Sequence, residues 1–325
     1  MNLKRNLVAS AISVAALALS GGAAADEEVT LYGLINVSYQ QTDAEFDGNE
    51  IRSNTSFFGI QGKSKISDGL KAIYTLEWEV DTADSNTPGQ DTLRRRTQFV
   101  GLGGDFGEVI IGRVDLPMKI ADRKIDLFNN LEGELNLLML GDNRTDNTFQ
   151  YTSPKFAGGF QVKYAETTRG LGQAETNGVT VGSGSTVSLE YTSKNLFFAL
   201  TQDSNIDGLD SSTIQLSTQY RLNNWKFGLI YNENDAVDLL GNGQLTDEEG
   251  TMFNVAYQWD DHTIKLQTVD SDQKGVDRGS VSIGWDMKLA RDTYFYAFQT
   301  SRDAVDPLAA NPDQSFFGIG LQHIF

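Results

Sequence analysis

From Val29 almost to its last residue the chain alternates between apolar or aromatic side chains and polar or small ones, and a period of two marks β-strands with two unlike faces. Leu31, Gly33, Ile35, Val37 and Tyr39 alternate with Tyr32, Leu34, Asn36 and Ser38. Phe149 and Tyr151 alternate with Thr148, Gln150 and Thr152; Trp225, Phe227, Leu229 and Tyr231 alternate with Lys226, Gly228 and Ile230. The alternating runs are about ten residues long, which suits a tilted strand crossing a bilayer. Sixteen of them begin near Val29, Arg52, Leu70, Thr92, Gly107, Arg144, Gly159, Gly184, Asn195, Asp210, Asn224, Gly250, His262, Asp277, Asp292 and Ser315. An even number is what a closed up-and-down barrel requires. Short turns such as Ser67-Asp68-Gly69, Ser193-Lys194, Leu222-Asn223 and Asp260-Asp261 alternate with longer polar loops such as Asn234 to Glu249. Trp78, Trp225, Trp259, Trp285, Tyr257 and Tyr294 cluster at strand ends, where amphipathic rings meet a membrane interface. The expected fold is all-β: a transmembrane, 16-stranded antiparallel β-barrel. The alternative is cross-strand packing in a soluble sandwich.

The first 25 residues stand apart. Lys4 and Arg5 precede an uncharged apolar run from Leu7 to Leu19, and Ala23-Ala24-Ala25 offers a small-residue cleavage site before Asp26. This reads as a cleaved secretory signal peptide, too short for a spanning helix, with residues 26–325 as one barrel domain. Its removal takes two positive charges from a formal net charge of −18, leaving −20. Such acidity argues against a nucleic-acid partner. The chain has no cysteine, so no disulfide can staple it, and only His262 and His323. No cofactor is expected.

One stretch breaks the pattern. After the strand ending Ile110-Ile111-Gly112-Arg113, about thirty residues from Val114 to Asn143 show no strand alternation, an anomaly that usually marks a functional loop. It reads as a plug folded inward to narrow the barrel.

The chain closes Phe316-Phe317-Gly318-Ile319-Gly320-Leu321-Gln322-His323-Ile324-Phe325, with Phe317, Ile319, Leu321, His323 and Phe325 on one face. A strand ending on a terminal Phe resembles the assembly signal of outer-membrane barrels. Val29-Thr30-Leu31-Tyr32-Gly33 resembles the first strand of Gram-negative general diffusion porins. Gly59-Ile60-Gln61-Gly62 resembles their second strand, and Asn147-Thr148-Phe149-Gln150-Tyr151-Thr152-Ser153-Pro154 their sixth. The resemblance implies a homotrimer of water-filled barrels in the outer membrane of a Gram-negative cell, surrounded by lipid and lipopolysaccharide and passing small hydrophilic solutes. Each barrel would be narrowed by the third outer loop, residues 114–143, whose acids face a ladder of bases on the wall.

Carried over residue by residue, Arg96 matches the wall arginine ahead of Phe99, Gly101 and Leu102, and Arg144 the one seven residues before Tyr151. Arg94 shares the parity of Arg96. An Arg facing lipid at the bilayer midplane costs about 2 to 4 kcal/mol, so at least two of the three consecutive arginines gain by facing water, with Arg95 outward near the rim. Val100 and Leu102 share parity with Arg96, so alternation leaves its face open and the resemblance assigns it inward. The loop offers Asp115, Asp122, Asp126, Glu132, Glu134 and Asp142, of which Asp126 and Glu132 are preferred as lumen-facing; Lys119, Arg123 and Lys124 stand ready to pair locally. Glu77 and Glu79 add acid to the inward face, opposite to Tyr74, Leu76 and Trp78. Phe57 and Leu34 stand where the family often has bases. The ladder is thinner, and a modest cation preference is expected.

Asp238 to Glu249 matches a calcium-binding EF-hand loop at Asp238, Asn242, Gly243, Leu245 and Glu249, but Leu240 replaces an oxygen ligand and strands flank it. The alternative is an acidic outer loop with no bound ion, and no metal site is assigned. Two rival functions remain. An outer-membrane hydrolase needs a Ser or Asp beside a His; an adhesin or structural barrel would carry the 114–143 segment outside.

Overall fold

The computed structural model describes residues 27–43, 48–83, 92–168, 183–208, 210–237, 245–275, 277–305 and 312–325. Among them, seventeen strand segments form one sheet: β1 (Glu27–Thr42), β2 (Gly48–Ser53), β3 (Phe57–Ser67), β4 (Leu70–Val80), β5 (Leu93–Gly104), β6 (Gly107–Asp115), β7 (Arg144–Thr152), β8 (Phe160–Thr167), β9 (Gly184–Thr192), β10 (Leu196–Ser204), β11 (Ser212–Leu222), β12 (Trp225–Val237), β13 (Leu245–Trp259), β14 (His262–Ser271), β15 (Arg278–Ala290), β16 (Thr293–Asp303) and β17 (Asp313–Ile324). From β3 onward each pairs antiparallel with the next, and β17 returns to β1 from Leu34↔Ile324 to Thr42↔Phe316, so the sheet closes. β2 and β3 both pair with β1 and are halves of one barrel strand interrupted at Asn54–Ser56. That gives sixteen barrel strands. Their starts fall within a few residues of the positions read from the alternation, the largest displacement being at β13, which begins at Leu245. The signal-peptide segment and positions 238–244, including Asp238 and Asn242, lie outside the described residues.

The two faces are inverted relative to a protein packed for water. Leu31, Ile35, Val100, Ile111, Leu200 and Val281 are exposed on the outside, while Asn36, Gln40, Thr201, Gln215, Gln267 and Thr300 are buried on the inside. An apolar belt of this extent needs hydrocarbon around it, and closure leaves the backbone no open edge there. The seam is closed by the final residue. Phe325 exchanges both backbone hydrogen bonds with Gly33, at 2.9 and 3.0 Å. A Cβ on Gly33 would lie 2.4 Å from the Phe325 ring, so only glycine admits this approach.

The segment between β6 and β7 is not structureless. Pro117 opens a nine-residue helix, α1 (Pro117–Ile125), and a 3-10 turn spans Leu135–Leu137. Proline suits the first helical turn because its missing N–H needs no partner there. Arg123 and Lys124 sit in the last turn, where cations complement the helix dipole.

This loop lies against the inner face. α1 packs on β8 to β12. Ala121, Ile125, Leu135, Leu138 and Met139 cluster with Phe197, Ala199, Ile230, Met252 and Val269 of the wall; Phe128 and Leu131 cluster with Tyr296, Phe298 and Phe316. These inward apolar residues interrupt an otherwise polar lumen face. They form a docking patch for the loop, worth about 1.5 to 3 kcal/mol for each large side chain fully covered.

Candidate functional site

The strand carrying the three arginines contains a β-bulge. Leu76 pairs with Gln98 and Trp78 with Arg95, so Arg96 and Thr97 together oppose Glu77. An extra residue resets the alternation. Val100 and Leu102 therefore face outward, while Arg96, of the same parity, faces inward. Arg96 is 8% exposed; its Nε donates to Glu77 Oε1 at 2.6 Å, its Nη1 lies 3.4 Å from Glu79 Oε2, and its guanidinium stands 4.8 Å from the Phe57 ring centre. Phe57 thus supplies a cation-binding ring where the family often has a charge. Arg94 pairs with Glu79, and Tyr32 donates to Glu77 at 2.9 Å. Arg95 points outward and shares Asp146 with Arg113, at 3.6 and 3.2 Å.

A second bulge, Asp146–Asn147 opposite Arg113, sets the other arginine. Asn147 takes φ +53°, a conformation asparagine tolerates, and Asp115 becomes the direct partner of Arg144. Arg144 Nε lies 2.7 Å from Asp115 Oδ1, and Arg123 reaches Asp115 Oδ2 at 2.6 Å. Arg94, Arg96 and Arg144 are thus brought onto the inner face, each held by a carboxylate.

The two preferred loop acids act as anchors. Asp126 is 7% exposed and accepts the backbone N–H groups of Phe128 (2.8 Å) and Leu135 (3.0 Å) and the Gln267 amide (2.7 Å). Glu132 is gripped by Arg302 and Arg52 of the wall, and Arg302 also donates to the Glu132 carbonyl at 3.0 Å. Arg302 and Arg52 were not singled out from sequence. Their signal was parity, Arg302 sharing that of the buried Thr300, Phe298 and Tyr296. The loop's bases pair as well: Lys119 with Asp142, Arg123 with Asp115, and Lys124 with Glu190, which also takes Lys163 at 2.6 Å.

The inward bases are thus largely matched, whereas several carboxylates have no cationic partner among the described residues. Asp122 Oδ2 and both oxygens of Asp203 are buried with no well-formed hydrogen bond among the described residues. Burial, with Asp142 nearby, pushes the Asp122 carboxyl well up. Burial also raises Asp126 against the pull of its donors. Glu134 is pushed up to about 8 by burial, with Asp126 and Asp142 adding repulsion. Among the described residues, no group of three His, Cys, Asp or Glu side chains is placed to hold a metal ion. Glu249 accepts the Tyr231 hydroxyl at 3.0 Å.

A closed sixteen-stranded barrel, apolar outside and crossed inside by a charged loop, is the architecture of a porin. The family model described as Gram-negative porin matches residues 9–306, and the chain belongs to that family. It is 28% identical to outer membrane porin protein 32 of Delftia acidovorans over 97% of this chain and 99% of the relative. It is 27% identical to a monosaccharide porin of a Halomonas species over 72% of this chain and 71% of the relative. Among solved structures it resembles an anion-selective porin from Comamonas acidovorans, with a TM-score of 0.72 at 21% identity, over 92% of this chain and 100% of that one. Salmonella typhi OmpF gives a TM-score of 0.71 at 14% identity, over 91% and 98%. At these identities the structures speak for the fold alone. The protein is an outer-membrane pore for diffusion.

Proposed function

We propose that residues 114–143 form the constriction of this pore, that the channel passes ions and small hydrophilic solutes with a modest cation preference, and that it works as a homotrimer. The observation that carries this reading is the loop docked inside a closed barrel, with Arg94, Arg96 and Arg144 on one wall and with Asp115, Asp126 and Glu132 fixed in place. Facing charges in a narrow lumen set the field a solute crosses. Charges farther than a Debye length, about 8 Å at physiological salt, are largely screened, so the local balance decides selectivity and distant outer-loop acids do not. Locally Glu77, Glu79 and Asp115 offset Arg94, Arg96 and Arg144, and Asp122, Asp203 and Glu134 have no base among the described residues; because burial favours the protonated form of Asp122 and Glu134, the surplus of negative charge at neutral pH is small and the preference modest.

Reversal potentials in a salt gradient test the balance. Arg96→Ala with Arg144→Ala should release Glu77 and Asp115 and strengthen cation preference; Glu77→Gln with Glu79→Gln should weaken it. A clear anion preference in the unaltered channel overturns the charge balance. Asp126→Asn is less informative, since one amide oxygen cannot replace the carboxylate that holds Phe128, Leu135 and Gln267.

The loop should also respond to pH. Glu134 is half-buried and titrates near 8, so raising the pH through that value adds negative charge and increases cation preference. The same shift favours the protonated folded form, so the group's contribution to stability is lost as pH rises from the ordinary carboxyl range through about 8. Glu134→Gln should flatten the change in reversal potential across this window. An unaltered pH profile in that variant assigns the titration elsewhere.

A further inference from the structure

On the short-turn side of the loop the inner wall carries bases in one row. Arg221 on β11 is the direct partner of Lys226 on β12, Lys226 of Ala256 on β13, and Ala256 of Lys265 on β14. Directly opposed residues of antiparallel strands share a face, and like charges so placed destabilise the pair. Lys265 is compensated by Asp286 at 3.0 Å. Arg221 and Lys226 form no ion pair among the described residues, and the Arg221 Nε donates only to Gln219 Oε1, at 3.3 Å.

The pair borders a cavity of about 460 Å³ whose lining includes the amides of Asn223, Asn224 and Gln258 and one carboxylate, Asp260. Amide N–H groups and two cations make the cavity rich in donors, and Ala256 leaves the row open between Lys226 and Lys265. Two positions along β12 from Lys226, a Cβ on Gly228 would meet Ile125 at 2.6 Å, so the row lies just below the edge where α1 docks. Short turns mark the periplasmic end of such barrels. A solute leaving the constriction reaches this row next.

We propose that Arg221 and Lys226 form a docking site for a small oxyanion, a phosphate or carboxylate dianion, just inside the periplasmic mouth. Bridging by a dianion turns two repelling charges into two charge-assisted contacts, with the guanidinium fork and the ammonium each meeting an oxygen. Cation preference set around the loop and anion retention below it are compatible, because they lie at different depths. The proposal rests on the channel reading only for how the solute arrives.

Single inserted channels in dilute KCl provide the test. Inorganic phosphate or succinate added on the short-turn side should lower KCl conductance saturably at millimolar concentration, and relative potency tells which headgroup the site takes. Arg221→Gln with Lys226→Gln should raise the half-effective concentration about tenfold, about 1.4 kcal/mol of lost affinity. Arg221→Lys with Lys226→Arg should retain the effect. Because it removes a repulsion, the neutral double variant should melt no lower than the unaltered protein without oxyanion. An identical response in the neutral variant overturns the site, as does an equal response to nitrate at matched ionic strength. Should the unaltered protein give no KCl steps, the channel reading fails separately. Broadening of the phosphorus resonance of inorganic phosphate by detergent-solubilised protein then decides: loss in the neutral variant supports the site, and equal broadening overturns it.

Discussion

Removing Phe325 should abolish assembly of the folded barrel while leaving the chain synthesised and exported. Phe325 is the last residue to pair across the seam, and it exchanges both backbone hydrogen bonds with Gly33. Its ring faces outward, 47% exposed, and covers the one position on β1 where no Cβ fits beneath it. Truncation strips those bonds at the edge of a hydrocarbon solvent, where each unsatisfied backbone group costs several kcal/mol. A barrel that fails to close exposes two whole edges, so the loss is cooperative. Heat-resistant mobility in gels measures folded protein directly, and normal levels in the truncated form would sink this view of the seam. Gly33→Val is the companion variant: it keeps Phe325 and denies it the approach, and should fail in the same way.

The barrel was legible because period two repeats strand after strand, so that even a misjudged start, as at β13, leaves the neighbours in place. The side chains around the loop were less so. Arg96 shares the parity of lipid-side Val100 and Leu102, and only the bulge at Arg96–Thr97 turns it inward, a reset that one extra residue achieves without a sequence signature. Alternation alone left its face open, and the resemblance, not the pattern, was the ground for expecting it inward. The partners of the loop were hidden for a different reason. Glu132 meets Arg302 across 170 residues of chain, and Asp126 meets Gln267 across 141, contacts that closure of the cylinder creates and no local pattern announces. Yet there was a trace. Ile230, among the polar-face residues of its strand, is a parity exception, and Phe197, Met252 and Val269 join it in the patch on which the loop docks.

Deleting the loop should raise single-channel conductance severalfold and admit larger solutes, and the structure shows how to delete it cleanly. Asp115 and Arg144 are register partners, and the Leu116 N–H donates to the Asn143 carbonyl at 3.0 Å, so the two ends of the loop already lie side by side. Replacing residues 117–142 with Asn-Gly converts the insertion into a tight hairpin without moving β6 or β7. The ladder of strand hydrogen bonds does not include the loop, so the barrel should still form. It should melt earlier, because Phe197, Ile230, Met252, Tyr296 and Phe298 lose their cover and meet water, each at about 1.5 to 3 kcal/mol if fully uncovered. Conductance then separates the readings. A larger stable step means that the loop occupies the conducting path; an unchanged step means that solutes pass elsewhere. Glu132→Gln grades the same effect, since it removes the charge that Arg52 and Arg302 grip while the Arg302 bond to the residue 132 carbonyl and the apolar cluster remain. Its expected mark is increased open-channel noise with a smaller rise in mean conductance, and an unchanged trace would show that the Glu132 charge does not hold the loop.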